Sequence, residues 1–303
     1  MLMPYCSDSL RKKEQRKMKE LQFHIRLMEK KDLSAAMEIK NEEGWNQTLD
    51  DWQLLLYNQP GMCLVALHED KVVATVSAIG YKDKLAWIGM MLVRKKYRGR
   101  GLSKMLMAGI LQRLKYYPSI KLDATPAGLP VYANLGFVCE FDIYRMVRPP
   151  HKRQYQIKNP PKGSIPKTTL QEIVDLDERI YGVNRQNLLA YLYNQSPDMV
   201  GVIEEEGLVS GYIMSRPGTT HLQLGPLIAR STEASIALLS EALSKLDNRS
   251  VVIDVLEDKR DLLAWLLEQG FVQQRQLTRM YYHNNLYPGT ISKQYLISGP
   301  ELG

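Results

Sequence analysis

Trp87-Ile88-Gly89-Met90-Met91-Leu92-Val93-Arg94-Lys95-Lys96-Tyr97-Arg98-Gly99-Arg100-Gly101-Leu102-Ser103 is the stretch on which the fold turns. It opens as an apolar run of strand length bounded by a basic turn, the pattern of a buried strand. It ends in a glycine-bearing loop leading into Lys104-Met105-Leu106-Met107-Ala108-Gly109-Ile110-Leu111, apolar-rich and free of proline, which predicts a helix. Strand, glycine loop and helix together make a phosphate cradle. Glycine lets backbone amides approach an anion, and the unpaired amides of the helix's first turn present a positive dipole end. Six cations lie between Arg94 and Lys104, at the mouth where a polyphosphate would sit. The spacing is neither the G-x-G-x-x-G of a dinucleotide fold nor the G-K-S/T of a P-loop.

The loop resembles the signature of the GNAT superfamily of N-acetyltransferases, Gln/Arg-x-x-Gly-x-Gly/Ala. Arg98-Gly99-Arg100-Gly101-Leu102-Ser103 matches it except at the last place, where Ser103 stands for Gly or Ala. About thirty residues on, Tyr132-Ala133-Asn134-Leu135-Gly136-Phe137 meets the family's Tyr-x-x-x-Gly-Phe pattern. The resemblance implies acetyl-CoA as the acyl donor. Met91, Leu92 and Val93 would pair with its pantetheine arm, and the amides from Arg98 to Ser103 would hold its pyrophosphate. Asn134 is counted with the cofactor-binding residues, and Tyr132 would protonate the departing thiolate.

The 303 residues fit two average domains, and 45% hydrophobic with 24% charged is ordinary globular composition. No apolar run reaches the length of a membrane span, and the basic start has no signal-peptide core. Cys6, Cys63 and Cys139 are too far apart for a disulfide framework or a metal site, and Cys63 and Cys139 read as buried thiols. The five histidines form no ligand cluster, so no metal is expected. A cytoplasmic protein is the expectation. The net charge of +7 does not describe a nucleic-acid face: residues 1–22 contribute +3 and residues 147–168 contribute +6, leaving −2 for the rest.

Along the chain, residues 1–22 read as a basic extension. Residues 23–148 give the order β-α-α-β-β-β-α-β-α-β, which is the GNAT order, and residues 149–167 read as a proline-rich linker. Residues 168–303 then repeat the first part. Leu224–Ala229 echoes Ile88–Val93 at an offset of 136, Ile253-Asp254-Val255 echoes Leu122-Asp123-Ala124 at 131, and Arg279-Met280 echoes Arg145-Met146 at 134. The second copy lacks the chemistry. Its loop near Arg230-Ser231-Thr232-Glu233 has no glycine and carries an acid where phosphate would sit, and Leu266 stands where the first copy has Tyr132. The expected fold is α/β with a mixed sheet, in two tandem GNAT-like domains, one active and one degenerate. The whole chain also resembles bacterial tandem-GNAT proteins in which Gly44-Trp45-Asn46-Gln47-Thr48 and Gly299-Pro300-Glu301-Leu302-Gly303 recur.

The chemistry implied is attack of a neutral primary amine on the thioester carbonyl, with backbone amides around Met91 and Leu92 donating to the developing oxyanion. Asp123, Glu42 and Glu43 are the candidates to take the amine's proton. Glu43, Trp45, Asn46 and Thr125 are assigned to the acceptor pocket, Trp45 as an apolar wall and Asn46 as a reader of polar groups. Tyr212 and Arg216 are candidate acceptor contacts from the second domain. The function read from this is N-acetylation of a small-molecule amine in a ternary complex, with no nucleic-acid partner, and homodimerisation is left open. Acetylation of a protein N-terminus or lysine and a non-catalytic acyl-CoA sensor are the alternatives.

Overall fold

The computed structural model describes residues 23–150, 169–246 and 248–303, so the basic extension and nearly all of the expected linker lie outside the described residues. The first repeat runs β1 (His24–Leu27), α1 (Leu33–Glu42), α2 (Leu49–Asn58), β2 (Cys63–His68), β3 (Lys71–Tyr81) and β4 (Leu85–Val93). It continues α3 (Leu102–Arg113), β5 (Ser119–Ala124), α4 (Leu129–Ala133) and β6 (Phe137–Arg148). The second runs α5 (Leu170–Tyr181), α6 (Gln186–Gln195), β7 (Gly201–Glu205), β8 (Leu208–Arg216), β9 (Leu222–Ile228) and α7 (Thr232–Ser244). It closes with β10 (Val251–Leu256), α8 (Arg260–Glu268), β11 (Val272–Tyr282) and β12 (Gln294–Leu296).

Among the described residues, all twelve strands form one mixed sheet, in the order β1-β2-β3-β4-β5-β11-β6-β10-β12-β9-β8-β7. The two repeats exchange their last long strands. β11 of the second repeat pairs with β5 of the first, while β6 of the first pairs with β10 of the second. β6 and β11 then pair antiparallel with each other at the centre. The inner strands read as near-continuous apolar runs because both faces are covered; in β3, Val72 to Ile79 are all buried. On one face α1 and α2 share a single core with α5 and α6, built around Ile39, Trp52, Leu55, Leu188, Leu189 and Tyr212. On the other face α3 buries Leu102, Leu106, Met107 and Ile110 against the first repeat, and α7 buries Leu238, Leu239, Ala242 and Leu243 against the second.

The repeated Asp and Arg noted in the sequence meet across the exchanged strands. Asp123 on β5 takes two bonds from Arg279 on β11, at 2.9 and 3.1 Å. Its counterpart Asp254 on β10 takes two bonds from Arg145 on β6, at 2.7 Å each. Each repeat thus contributes the acid to one pair and the base to the other. Of the two central thiols, Cys63 is buried, and burial pushes it up to about 12; Cys139 is exposed on β6, contrary to its apolar sequence neighbourhood.

Candidate active site

The site forms where β4 leaves β5. The two strands pair in parallel from Leu85–Ile88 against Ser119–Leu122, with no pairing beyond. There β4 also carries a bulge: Met90 and Met91 face the single residue Val76 of β3. Met90 takes a left-handed backbone, φ 50°, and Thr75 Oγ1 donates to its carbonyl at 2.8 Å. A bulge re-aims the backbone of the strand that carries it, here at the residues Met91 and Leu92.

Beyond β4, Gly99 and Gly101 have φ of 73° and 80°, a region closed to most side chains, and a Cβ at either would meet nothing within 4 Å. Gly101 is the N-cap of α3 and supplies no side chain to it, so the helix's leading amides are left to a ligand. Leu102 gives the cradle only its backbone, since its side chain is in the core. The surrounding cations are unequal. Arg94 pairs with Glu38 and Glu42 of α1, and Arg98 donates to the Val93 carbonyl and pairs with Glu43 at 2.5 Å. Arg100 lies over the Tyr97 ring.

A cleft of about 480 Å³ brings together Met91, Leu92, Val93, Arg98, Ser103, Glu43, Trp45, Thr125 and Tyr132, all singled out in the sequence, with Arg275 from β11. Adjoining it is a small cavity of about 60 Å³ that shares Trp45, Met91, Thr125 and Tyr132 and adds Gly89, Asp123 and Glu301. Larger depressions of about 840 and 990 Å³ lie elsewhere, over Glu205 and Arg230 and over Phe23 and Leu67, and do not gather this chemistry. Tyr132 sits on α4, beside Phe137, and burial pushes its phenol up to about 12, so it is protonated at neutral pH.

Several expected site residues are used differently. Asp123 has both carboxylate oxygens bound by Arg279 and is fully enclosed; burial pushes it above the ordinary carboxylate range while Arg279 pulls it back. Asp254 makes the same pair in the repeat that lacks the loop and the tyrosine, so the pair is a feature common to both halves of the strand exchange. Asn46 lines neither cavity, and its amide is engaged within the protein. Its Oδ1 accepts from the amides of Thr220 and His221 and from the Thr220 hydroxyl, and its Nδ2 donates to the His221 carbonyl, clamping a loop of the second repeat. Asn134 is exposed at the C-cap of α4, outside both cavities. Tyr212 donates to Asp177 within the core, and Arg216 is held between Asp51 and Glu301.

Two charged residues of these cavities had no role in the sequence reading, Arg275 and Glu301. Glu301 arrives on the segment after β12. Gly89 makes room for it, because a Cβ there would lie 2.7 Å from Glu301 Cα. Trp87 Nε1 donates to the Pro300 carbonyl at 2.9 Å and fixes the approach. A lone acid in the apolar tract Tyr295–Gly303 was the available signal.

Family models for GNAT acetyltransferases match both repeats, "Acetyltransferase (GNAT) family" over residues 27–137 and "Acetyltransferase (GNAT) domain" over 173–296. The chain belongs to the GNAT family, as a tandem protein. It is an acyltransferase. It is 21% identical over 82% of its length to the uncharacterized N-acetyltransferase YitH of Bacillus subtilis, covering 88% of that protein. It is 26% identical over 79% of its length to the holothin acyltransferase of a Pseudoalteromonas species, covering 81% of it. In fold it is similar to a putative acetyltransferase of Pyrococcus horikoshii, with a TM-score of 0.74, 22% identity, 93% of this chain and 96% of that one covered.

Proposed function

We propose that this protein transfers an acetyl group from acetyl-CoA to a primary amine of a small molecule, by direct attack in a ternary complex at the first repeat. The observation that carries the reading is the open cradle at Gly99 and Gly101, continuous with a cleft that holds a protonated Tyr132. The amides from Arg98 to Ser103 would hold the pyrophosphate, and the re-aimed backbone at Met91 to Val93 would hold the pantetheine arm. When bound, the coenzyme supplies an activated acetyl thioester. Amides of Met91 and Leu92, at the end of the bulge, would orient the carbonyl and donate to its oxygen, a contribution of about 3 kcal/mol in comparable sites. Tyr132 holds the proton that the departing sulfur takes.

A small acceptor suits the cover over the cleft. Arg275 and the segment around Glu301 come from the second repeat and line the acceptor end beside Trp45. A protein N-terminus or lysine would need an open groove there. We take residues 23–148 and 168–303 as the two repeats, the first carrying the transfer site and the second completing its acceptor end.

The test is calorimetric titration with acetyl-CoA, followed by thiol release with a panel of amines and of peptides. Binding with thiol release from small amines is the expected result. Binding without release from any amine would favour an acyl-CoA sensor, and absence of binding would remove the reading.

A further inference from the structure

Two charged side chains in the cleft lack full partners, and both belong to the second repeat. Glu301 is 2% exposed. One of its oxygens is bound by Arg216, itself anchored by Asp51, while Oε2 is buried without a hydrogen-bond partner. A half-satisfied buried carboxylate is costly unless a ligand completes it. The small cavity it lines, about 60 Å³, fits an ammonium-sized group, since a water's share of liquid volume is about 30 Å³.

Arg275 stands at the wall of the larger cleft, its guanidinium 5.8 Å from the Trp45 ring centroid and its Nε buried without a partner. It lies within electrostatic reach of Glu301, and burial, with the nearby Arg145, lowers it to about 10. The other charges of the two cavities are matched: Arg98 by Glu43 and Asp123 by Arg279.

We propose that Glu301 receives the ammonium of the acceptor and Arg275 an anionic group of the same molecule, so that the acceptor is a primary amine that also bears a carboxylate, as an amino acid does. This rests on the acetyl-transfer reading above and adds the substrate class. The reaction balances. The ammonium gives one proton to Glu301, and the nitrogen lone pair forms the N–C bond to the thioester carbonyl. The C–S bond breaks with its electron pair on sulfur, which takes the Tyr132 proton. The second nitrogen proton returns to Tyr132 and that on Glu301 leaves to solvent. The sum is amide, thiol and one released proton.

The test uses L-amino acids paired with the amines left by removing their carboxylates. Each pair is measured for binding to the full-length protein saturated with coenzyme A, and for thiol release with acetyl-CoA. Wild type should favour the amino acid of a productive pair by about ten-fold or more in affinity. Arg275→Met should erase that preference and leave coenzyme A affinity unchanged. Glu301→Gln should lower turnover about 100-fold, with Glu301→Asp restoring part of it. Preference for the bare amines, no binding by any member of the panel, wild-type turnover in Glu301→Gln, or weakened coenzyme A binding in Arg275→Met would each overturn the proposal. Should Glu301→Gln fail to fold, because Arg216 loses its partner, the Arg275 arm decides. Absence of coenzyme A binding in wild type would instead remove the transfer reading itself.

Discussion

The two repeats differ most where they should be most alike, at the splay between the strand before the loop and its parallel neighbour. In the first repeat β4 and β5 part after Ile88 and Leu122, and the gap is the cleft. In the second, β9 and β10 part after Leu224 and Ile253, and β12 lies in the gap, paired with both. The loop differs in the same sense. Gly101 caps α3 with no side chain, whereas Ser231 caps α7 by accepting from the Ala234 amide at 3.3 Å. Glu233 in the first turn of α7 is drawn below the ordinary carboxylate range by its own backbone amide and the Ser231 hydroxyl. The second repeat has filled with its own atoms the places that the first keeps open. One segment links both sites. Gly89 and Gly225, equivalent at an offset of 136, each make room for it: a Cβ at Gly225 would meet the Ile297 carbonyl at 2.2 Å, and one at Gly89 the Glu301 backbone. The chain that plugs the silent cleft therefore continues into the floor of the open one.

The exchanged ion pairs are where the repeats should behave alike, and there the largest effects are expected. Asp123→Ala and Asp254→Ala each leave a buried arginine unpaired, which costs about 3–5 kcal/mol. Urea unfolding of the two variants should show comparable losses. A much smaller loss for Asp123→Ala, with turnover abolished in the folded protein, would restore Asp123 as the base and break the symmetry argued here.

Gly101→Glu puts an acid into the first repeat's cradle, as Glu233 does at the start of α7 in the second. A like charge about 4 Å from a phosphate costs roughly 4 kcal/mol at a surface-like dielectric, so acetyl-CoA affinity should fall roughly 100-fold or more by calorimetry. The added Cβ itself enters open space, and Gly101→Ala separates the backbone strain from the charge. Equal affinity in wild type and Gly101→Glu would place the coenzyme elsewhere.

Tyr132→Phe makes the first repeat resemble Leu266 of the second at the proton donor. Turnover should fall about 100-fold, the low end for a lost general acid, with acetyl-CoA affinity unchanged. The sign of the pH effect follows from burial, which raises the phenol from 10.0 to about 12. The neutral phenol's contribution to stability is complete below pH 10 and declines as pH rises toward 12. Wild-type turnover should therefore show no alkaline fall from Tyr132 below about pH 10. Such a fall, absent from Tyr132→Phe, would mean that the phenol is not enclosed as described.

What the sequence disclosed was local. The strand at Ile88–Val93, the loop at Arg98–Ser103 and the helix bearing Tyr132 are each written in one short stretch, so their periodicity and glycines could be read directly. The repeat offsets disclosed two copies of one fold, and with them the chemical silence of the second. What stayed hidden was pairing at long range. Asp123 and Arg279 were both visible as repeat landmarks, yet nothing in either stretch says that β11 lies beside β5. Asn46 looked like a pocket residue because its partners, Thr220 and His221, are more than 170 positions away. Arg275 has no signature of its own, and the motif around Glu301 gives no position; only the strand exchange and the path after β12 carry them to the site.

The smallest expected effect separates the two devices that silence the second repeat. Ser231→Ala removes a cap and should lower stability by about 1 kcal/mol, measured by urea unfolding. It also frees amides at the start of α7, so if the cap alone excluded coenzyme A, Ser231→Ala combined with Glu233→Ala would raise the binding stoichiometry from one to two. The place of β12 argues against that outcome. Gln294 and Leu296 pair with Ile228 and Leu227 of β9, and Leu296 also with Val255 of β10, so the strand face a pantetheine arm would use is already hydrogen-bonded. The stoichiometry should stay at one. A second site appearing on removal of the cap and the acid would show that the plug yields to ligand, and that the loop alone silences the second repeat.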